Sequence, residues 1–260
     1  MIFDPINSIT SVDFYKKVAK QTVTRSFLYL AYLSAIFSLA ATIALKVKVG
    51  PVIDETFQWL EREVPTMTFA DGKLTTTLPA SSTIRHPKYS EIAVTIDTAR
   101  VEPVTPDILE RNKVVAYVTG TAMYLMERPG EMKTFDFRTG GASRPVVIDA
   151  AFYRSAAQVM GRLLYPLSLI ITFLLFMFWK SLASLAYSSL ALALNAAVQA
   201  SLPYRELFNI AVHAQTLIIA IQIVFLFMPT GIPLSALVAV GSTAVYVWLA
   251  IKRTMEPAVS

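Results

Sequence analysis

Asn209, His213 and Thr216 fall on one face of a helix by their spacing, and Gln215 and Gln222 fall on nearly the opposite face. Amides, a hydroxyl and an imidazole can bond helices to one another, or they can line a site for a ligand or substrate. A helix that is polar on two sides needs protein neighbours on both, so a central position is predicted. His213 could serve as base to a serine nucleophile, Ser242 of Gly241-Ser242, if a hairpin brought the two to comparable depth. The full Gly-x-Ser-x-Gly pattern is absent, and a serine beside a small residue is an ordinary packing choice between helices. The chain has no His-Glu-x-x-His motif, no Gly-rich phosphate loop and no aspartate pair in its apolar runs. It also has no cysteine, which removes thiolate nucleophiles, zinc-thiolate sites and disulfides together. A non-enzymatic protein with no catalytic residue, cofactor or metal is therefore expected, with an intramembrane serine hydrolase as the remote alternative. His86, in Arg85-His86-Pro87-Lys88, reads as a solvated loop residue. Asp71, Asp97, Asp107 and Asp136 are scattered. A turn explains Asp71 and a helix amino terminus explains Asp107.

The elements that must hold the polar residues are membrane spans. No charged residue lies between Glu206 and Lys252, and Pro229 to Pro233 (Pro-Thr-Gly-Ile-Pro) divides that run. Each piece, Leu207–Met228 and Leu234–Ile251, is long enough as a helix to cross about 30 Å of hydrocarbon. With 55% hydrophobic and 16% charged residues, the whole chain fits that reading. The net charge of +5 forms no continuous basic block, so nucleic acid is not an expected partner; basic residues on a cytoplasmic face account for the surplus.

An α-helical integral membrane protein with a small α+β domain inserted after its first span is the predicted fold class. Residues 1–25 form a cytoplasmic basic segment in which Phe14, Tyr15 and Val18 make an apolar side. Lys16, Lys17, Lys20 and Arg25 are its candidate membrane-surface contacts, the alternative being a solvated lead-in. Residues 26–47 are an uncleaved anchor, 48–160 the extracytoplasmic domain, 161–253 a carboxy-terminal bundle and 254–260 a tail. In the domain, Pro51–Val64 reads as a helix starting near Pro51, and Asp71-Gly72 as a hairpin turn between Thr66–Phe69 and Lys73–Leu78. Strands are predicted at Glu91–Asp97, Val114–Thr119, Ala122–Glu127, Lys133–Phe137 and Pro145–Ile148. A helix capped by Thr105 starts at Pro106. The stretch between Arg162 and Arg205 holds a single charge, Lys180, and is either two short spans turning near Trp179-Lys180 or one span followed by a packed helix. Ser181, Ser184, Ser188, Ala191 and Asn195 give that stretch a small, polar stripe suited to helix packing. Counting basic residues near span ends places the amino terminus in the cytoplasm. Charge favours four spans; apolar length keeps five as the alternative.

Phe14-Tyr15-Lys16-Lys17, Ser26-Phe27-Leu28-Tyr29-Leu30, Phe69-Ala70-Asp71-Gly72-Lys73-Leu74, Ile96-Asp97-Thr98 and Tyr204-Arg205-Glu206-Leu207-Phe208-Asn209-Ile210-Ala211 occur in that order. Together they resemble a bacterial membrane-protein family catalogued as domain of unknown function 1189, some of whose members are labelled maltodextrin-utilisation proteins. The last part is also distantly similar to Yip-type trafficking membrane proteins. The resemblance implies an architecture and supplies no catalytic residue. The expected function is that of an accessory or regulatory protein, whose outer domain binds a ligand or partner and whose bundle associates with another membrane protein, such as a transporter. A small transporter or channel using the polar residues of 207–228 is the alternative.

Overall fold

The chain opens with two short helices, α1 (Asp4–Thr10) and α2 (Phe14–Ala19), and then enters one of 41 residues, α3 (Val23–Glu63). The computed structural model describes residues 2–76, 81–140, 145–228 and 236–255. The break at Pro229–Pro233 and residues 77–78 of the second hairpin strand lie outside them. Two compact units result: Met1–Lys48 with Leu164–Ser260, and Val49–Leu163.

Pro51 does not start a helix, contrary to expectation; it sits inside α3. Its ring removes one backbone donor and crowds the preceding turn. The residues on both sides are helix-compatible and the exposed site leaves the ring room, so the helix runs through it. The region around Lys180 is likewise uninterrupted. A single helix of 48 residues, α5 (Ala150–Ala197), passes through Trp179 and Lys180 without a turn, about 72 Å at 1.5 Å per residue. No glycine or proline lies between Pro166 and Pro203 to break it. Three helical stretches among the described residues are long and apolar enough to cross a membrane: α3, α5 and Tyr204–Phe227. The last comprises α6 (Tyr204–Ala214) and α7 (Thr216–Phe227), with Gln215 between them; α8 (Ala236–Met255) follows.

The membrane-helix unit is built around α6, every residue of which from Leu207 onward is buried. Tyr15, Val18 and Ala19 of α2 join Ala191 of α5, Leu207, Ile210 and Ala214 of α6, and Val247, Ala250 and Ile251 of α8 in one apolar cluster. The apolar side of α2 thus covers protein rather than an open lipid surface. A second cluster joins Tyr29, Leu30 and Leu33 of α3 to Phe208, Val212, Ile218 and Ile219.

The other unit holds two sheets. β1 (Met67–Ala70) lies between β2 (Lys73–Thr76) and β8 (Val146–Ile148), antiparallel to both. Asp71 and Gly72 close the β1–β2 hairpin with φ of 50° and 72°, the paired positive angles of a two-residue turn whose twist suits antiparallel strands. The second sheet has the order β3 (Ser82–Arg85), β4 (Ala93–Asp97), β5 (Ala116–Thr119), β6 (Ala122–Arg128), β7 (Glu131–Asp136). β4 and β5 are parallel and are connected through α4 (Pro106–Asn112); the other pairs are antiparallel. Thr105 precedes α4, but its side chain makes no capping bond. β3 is a polar edge strand that sequence patterning missed, because Ile84 is its sole large apolar residue.

Candidate functional site

Asn209, His213 and Thr216 meet the amino-terminal helices in a buried hydrogen-bond network. Asn209 Nδ2 donates to the carbonyls of Ala19 (3.2 Å) and Gln21 (2.8 Å), and Asn209 Oδ1 accepts from Ser26 Oγ at 2.7 Å. Gln21 Nε2 donates to Ser26 Oγ at 2.8 Å. His213 Nδ1 lies 2.9 Å from the Asn209 carbonyl, which can only accept, so Nδ1 carries the proton. Nε2 is then the acceptor, and Gln21 Nε2 approaches it at 3.4 Å. The imidazole stacks on Tyr29, centroids 4.0 Å apart and planes within 4°. Thr216 Oγ1 donates to the His213 carbonyl at 2.6 Å, so the Tyr29 hydroxyl, 2.7 Å from Thr216 Oγ1, donates to it. That threonine back-bond engages a carbonyl of the last turn of α6, where the helix is interrupted before α7.

Gln215 points into the other side. Its Nε2 donates to Ser184 Oγ at 2.8 Å, and Ser184 Oγ donates to the Lys180 carbonyl at 2.8 Å. Lys180, Ser184, Ser188, Ala191 and Asn195 are the buried residues of α5, so the small, polar stripe is a packing seam. Gln215 Oε1 and Gln222 Oε1 are buried with no partner among the described residues. Lys180 Nζ lies 5.2 Å from the centre of the Phe176 ring. Ser242 Oγ donates to the Ala239 carbonyl at 3.2 Å, and no hydrogen bond joins it to His213. The nucleophile–base pairing is therefore not formed.

At the amino terminus Lys17, Lys20 and Arg25 are exposed and Lys16 is half-buried. Arg25 lies 3.8 Å from Asp4. Asp13 is gripped by Arg253 of α8 at 2.6 and 3.1 Å, and this hydrogen-bonded pairing holds its carboxyl below the usual range. Sequence reasoning missed Gln21, Ser26 and Tyr29 as partners of α6, because nothing in local spacing shows which helix faces which.

The sheet unit carries a polar cleft of about 640 Å³. Lys73, Arg100, Gly120, Thr121, Asp136 and Arg138 are among its walls. Arg138 holds Asp136 through Nη2–Oδ2 (2.6 Å) and Nε–Oδ1 (3.0 Å), and its backbone N–H adds a third bond. These contacts push the Asp136 carboxyl down to about 2. Arg100 lies over the Tyr117 ring, whose hydroxyl donates to Asp97 Oδ2 at 2.9 Å. Burial, and then that carboxylate, raise the Tyr117 hydroxyl above its ordinary value. Gly120 shapes the floor. A Cβ there would stand 2.8 Å from the Thr98 carbonyl, while the Gly120 carbonyl accepts from Leu74 N–H at 2.7 Å and ties β2 to the β5–β6 turn. Hydroxyls and mixed charges give the cleft the character of a site for a hydrated, polar ligand.

The model for the protein of unknown function family DUF1189 matches residues 5–251. The chain belongs to this family. The match runs from α1 to the end of the apolar part of α8, so it includes the polar network, the α5 seam and the cleft together. Comparisons with curated proteins and with solved structures give no match.

Proposed function

We propose that this family member is a non-enzymatic accessory or regulatory membrane protein, in which Val49–Leu163 binds a ligand or partner and the helical unit associates with another membrane protein. The observation that carries the reading is that both connections between the units are helical: α3 runs through residues 48 and 49, and α5 through 163 and 164. A ligand that binds two states of the cleft unequally would bias those helices directly. In this reading the amino terminus is cytoplasmic, the sheet unit lies outside a bacterial-type inner membrane, and α3, α5, α6–α7 and α8 make four spans. The label carried by some family members makes carbohydrate uptake the process served, by analogy.

Copurification from native membranes tests the proposal. A stoichiometric membrane partner is expected, and a purified chain that moves solute across liposomes unaided would overturn it. Such movement is the prediction of the second reading, a small transporter or channel. The unpartnered oxygens of Gln215 and Gln222, in the same bundle as Lys180, favour it. Asn209, His213 and Thr216 do not, since their polar groups are engaged in holding helices together.

A further inference from the structure

At a helical phase of about 100° per residue, Ile2, Phe3, Ile6 and Thr10 fall on one side of α1 and the turn before it, and Ser8 on the other. Burial follows that division. Ser8 is 1% exposed, whereas Ile2, Phe3 and Ile6 are 74%, 70% and 58% exposed. The buried side is firmly docked. The Tyr15 hydroxyl donates to the Ser8 carbonyl at 3.0 Å, and the Tyr246 hydroxyl donates to the Ile9 carbonyl at 3.1 Å. Ser8 Oγ lies 3.3 Å from the Tyr29 hydroxyl, which in turn meets Thr216. These contacts fix the level of α1 along the spans. Arg205, which donates to the Gln21 carbonyl at 3.2 Å, marks the charged end of α6. Thr216 comes eleven positions later, about 16 Å further along, and α1 packs against the uncharged helix α7 that begins there. The open apolar arc therefore belongs to a helix docked beside the apolar part of the spans, inward of the charged end.

We infer that α1 is a membrane-inserted anchor for anionic phospholipid, with Ile2, Phe3 and Ile6 among acyl chains and Lys17, Lys20 and Arg205 at the headgroups. Charge selects the lipid class. Lys17, Lys20, Arg205 and Lys252 are exposed at this end, while two of its acids are taken, Asp4 by Arg25 and Asp13 by Arg253. With Lys16 included, seven cations stand here against three acids among the described residues, Glu206 being the third. A zwitterionic surface would leave that surplus unmatched; an anionic one attracts each exposed cation. Continuity supplies the acyl chains. Leu28, beside Tyr29 on the first membrane-length helix, is 57% exposed, so hydrocarbon already reaches the level at which Ser8 docks. An apolar arc lying inward of a basic rim is the order in which a bilayer presents chains and headgroups. The apolar side of α2 covers protein, which leaves this contact to α1. Lipid held there would act one side chain away from the α6 network, since Tyr29 stacks on His213. The inference needs only that α3 and α6–α7 cross a membrane, and it is independent of the accessory-protein reading.

The test uses the full chain in nanodiscs of mixed phosphatidylglycerol and phosphatidylcholine. The chain has no cysteine, so Phe3→Cys and Ile6→Cys each carry a single bimane fluorophore, at exposed positions whose change leaves the core intact. Phospholipid with a nitroxide on its acyl chain should quench both labels, and aqueous iodide should quench neither. At equal mole fraction, nitroxide-labelled phosphatidylglycerol should quench more strongly than the phosphatidylcholine probe. Lys17→Gln combined with Lys20→Gln should lower that preference roughly fivefold, about the attraction of one surface cation to an anionic leaflet. Quenching by the phosphatidylcholine probe should persist in the double variant, since the apolar arc is untouched. Quenching by iodide would place the arc in water, and insensitivity to both reagents would mean that protein, a second copy included, covers it. Equal quenching by the two lipids, or an unaltered preference in the double variant, would remove the anionic headgroup. Any of these four results would overturn the inference.

Discussion

At the scale of single residues, the network around α6 uses almost every polar atom that Asn209, His213 and Thr216 offer. His213→Gln retains an amide for the Asn209 carbonyl or for Gln21 and forfeits the stack on Tyr29. His213→Leu forfeits both bonds as well. The expected order of thermal stability is wild type, then Gln, then Leu. Steps of about 0.6–2 kcal/mol are expected, the size of interhelical hydrogen bonds measured in membranes. Equal melting of the two variants would show that the bonds contribute nothing. In the cleft, Asp136 is the titrating group of interest. Its carboxyl is depressed to about 2 in the folded chain, so its pairing with Arg138 contributes fully above the ordinary carboxylate range near pH 4 and is lost as pH falls toward 2. Carboxyl-carbon NMR should show Asp136 ionised at pH 3, and Arg138→Ala should return its midpoint to the ordinary range. Of these residues, those of α6 were legible from their spacing inside an apolar run. His86, 4% exposed and not solvated as expected, was not. The partner that buries it, Trp59, with ring centres 5.2 Å apart, lies 27 positions earlier, and Arg85, Pro87 and Lys88 all point to solvent when read locally.

At the scale of elements, the legible parts were those with a local cause. Asp71-Gly72 dictates its hairpin through two positive φ angles, and the α5 stripe shows its seam by helical spacing alone. The illegible parts depend on what continues past a signal. Pro51 resembles a helix start because proline is favoured at a first turn, yet nothing upstream ends the helix already under way. Replacing it should reveal the cost: Pro51→Ala restores a backbone donor, and stability should rise by up to about 3 kcal/mol. Stronger hydrogen-exchange protection around residues 47–52 would accompany that gain, and an unchanged or lower melting temperature would contradict it. On the seam, Ser184→Ala leaves the Gln215 amide only its long bond to the Ala211 carbonyl, at 3.4 Å, whereas Ser184→Leu must also force α5 from α6. The leucine variant should be the more destabilised, by roughly 1–3 kcal/mol beyond alanine. Similar melting of the two would mean that the seam has slack. β3 escaped notice because an edge strand with one face wet needs few apolar residues.

At the scale of the whole molecule, the absence of native cysteine makes topology directly measurable. A cysteine at Ser82 should be labelled from outside an intact cell, while one at Ser11 should be protected; the reverse pattern would invert the proposed orientation. Labelling at Ser260 separates an even from an odd number of spans. The division between apolar and charged stretches was readable from composition, since hydrocarbon and water select opposite residues. The unbroken passage of α3 and α5 from one stretch to the other was not readable, because a change of solvent changes side chains without requiring the backbone to turn. That continuity carries a consequence in angular terms. Each residue of helix advances the chain by about 100° of rotation, so one alanine inserted after Lys48 turns the Val49–Glu63 part of α3 by that angle relative to the part before it. Seven inserted residues bring it back to within roughly 20° of its starting phase. A protein that works through these helices should therefore lose its response with one added residue and recover it with seven, although the longer insertion is the larger change in length.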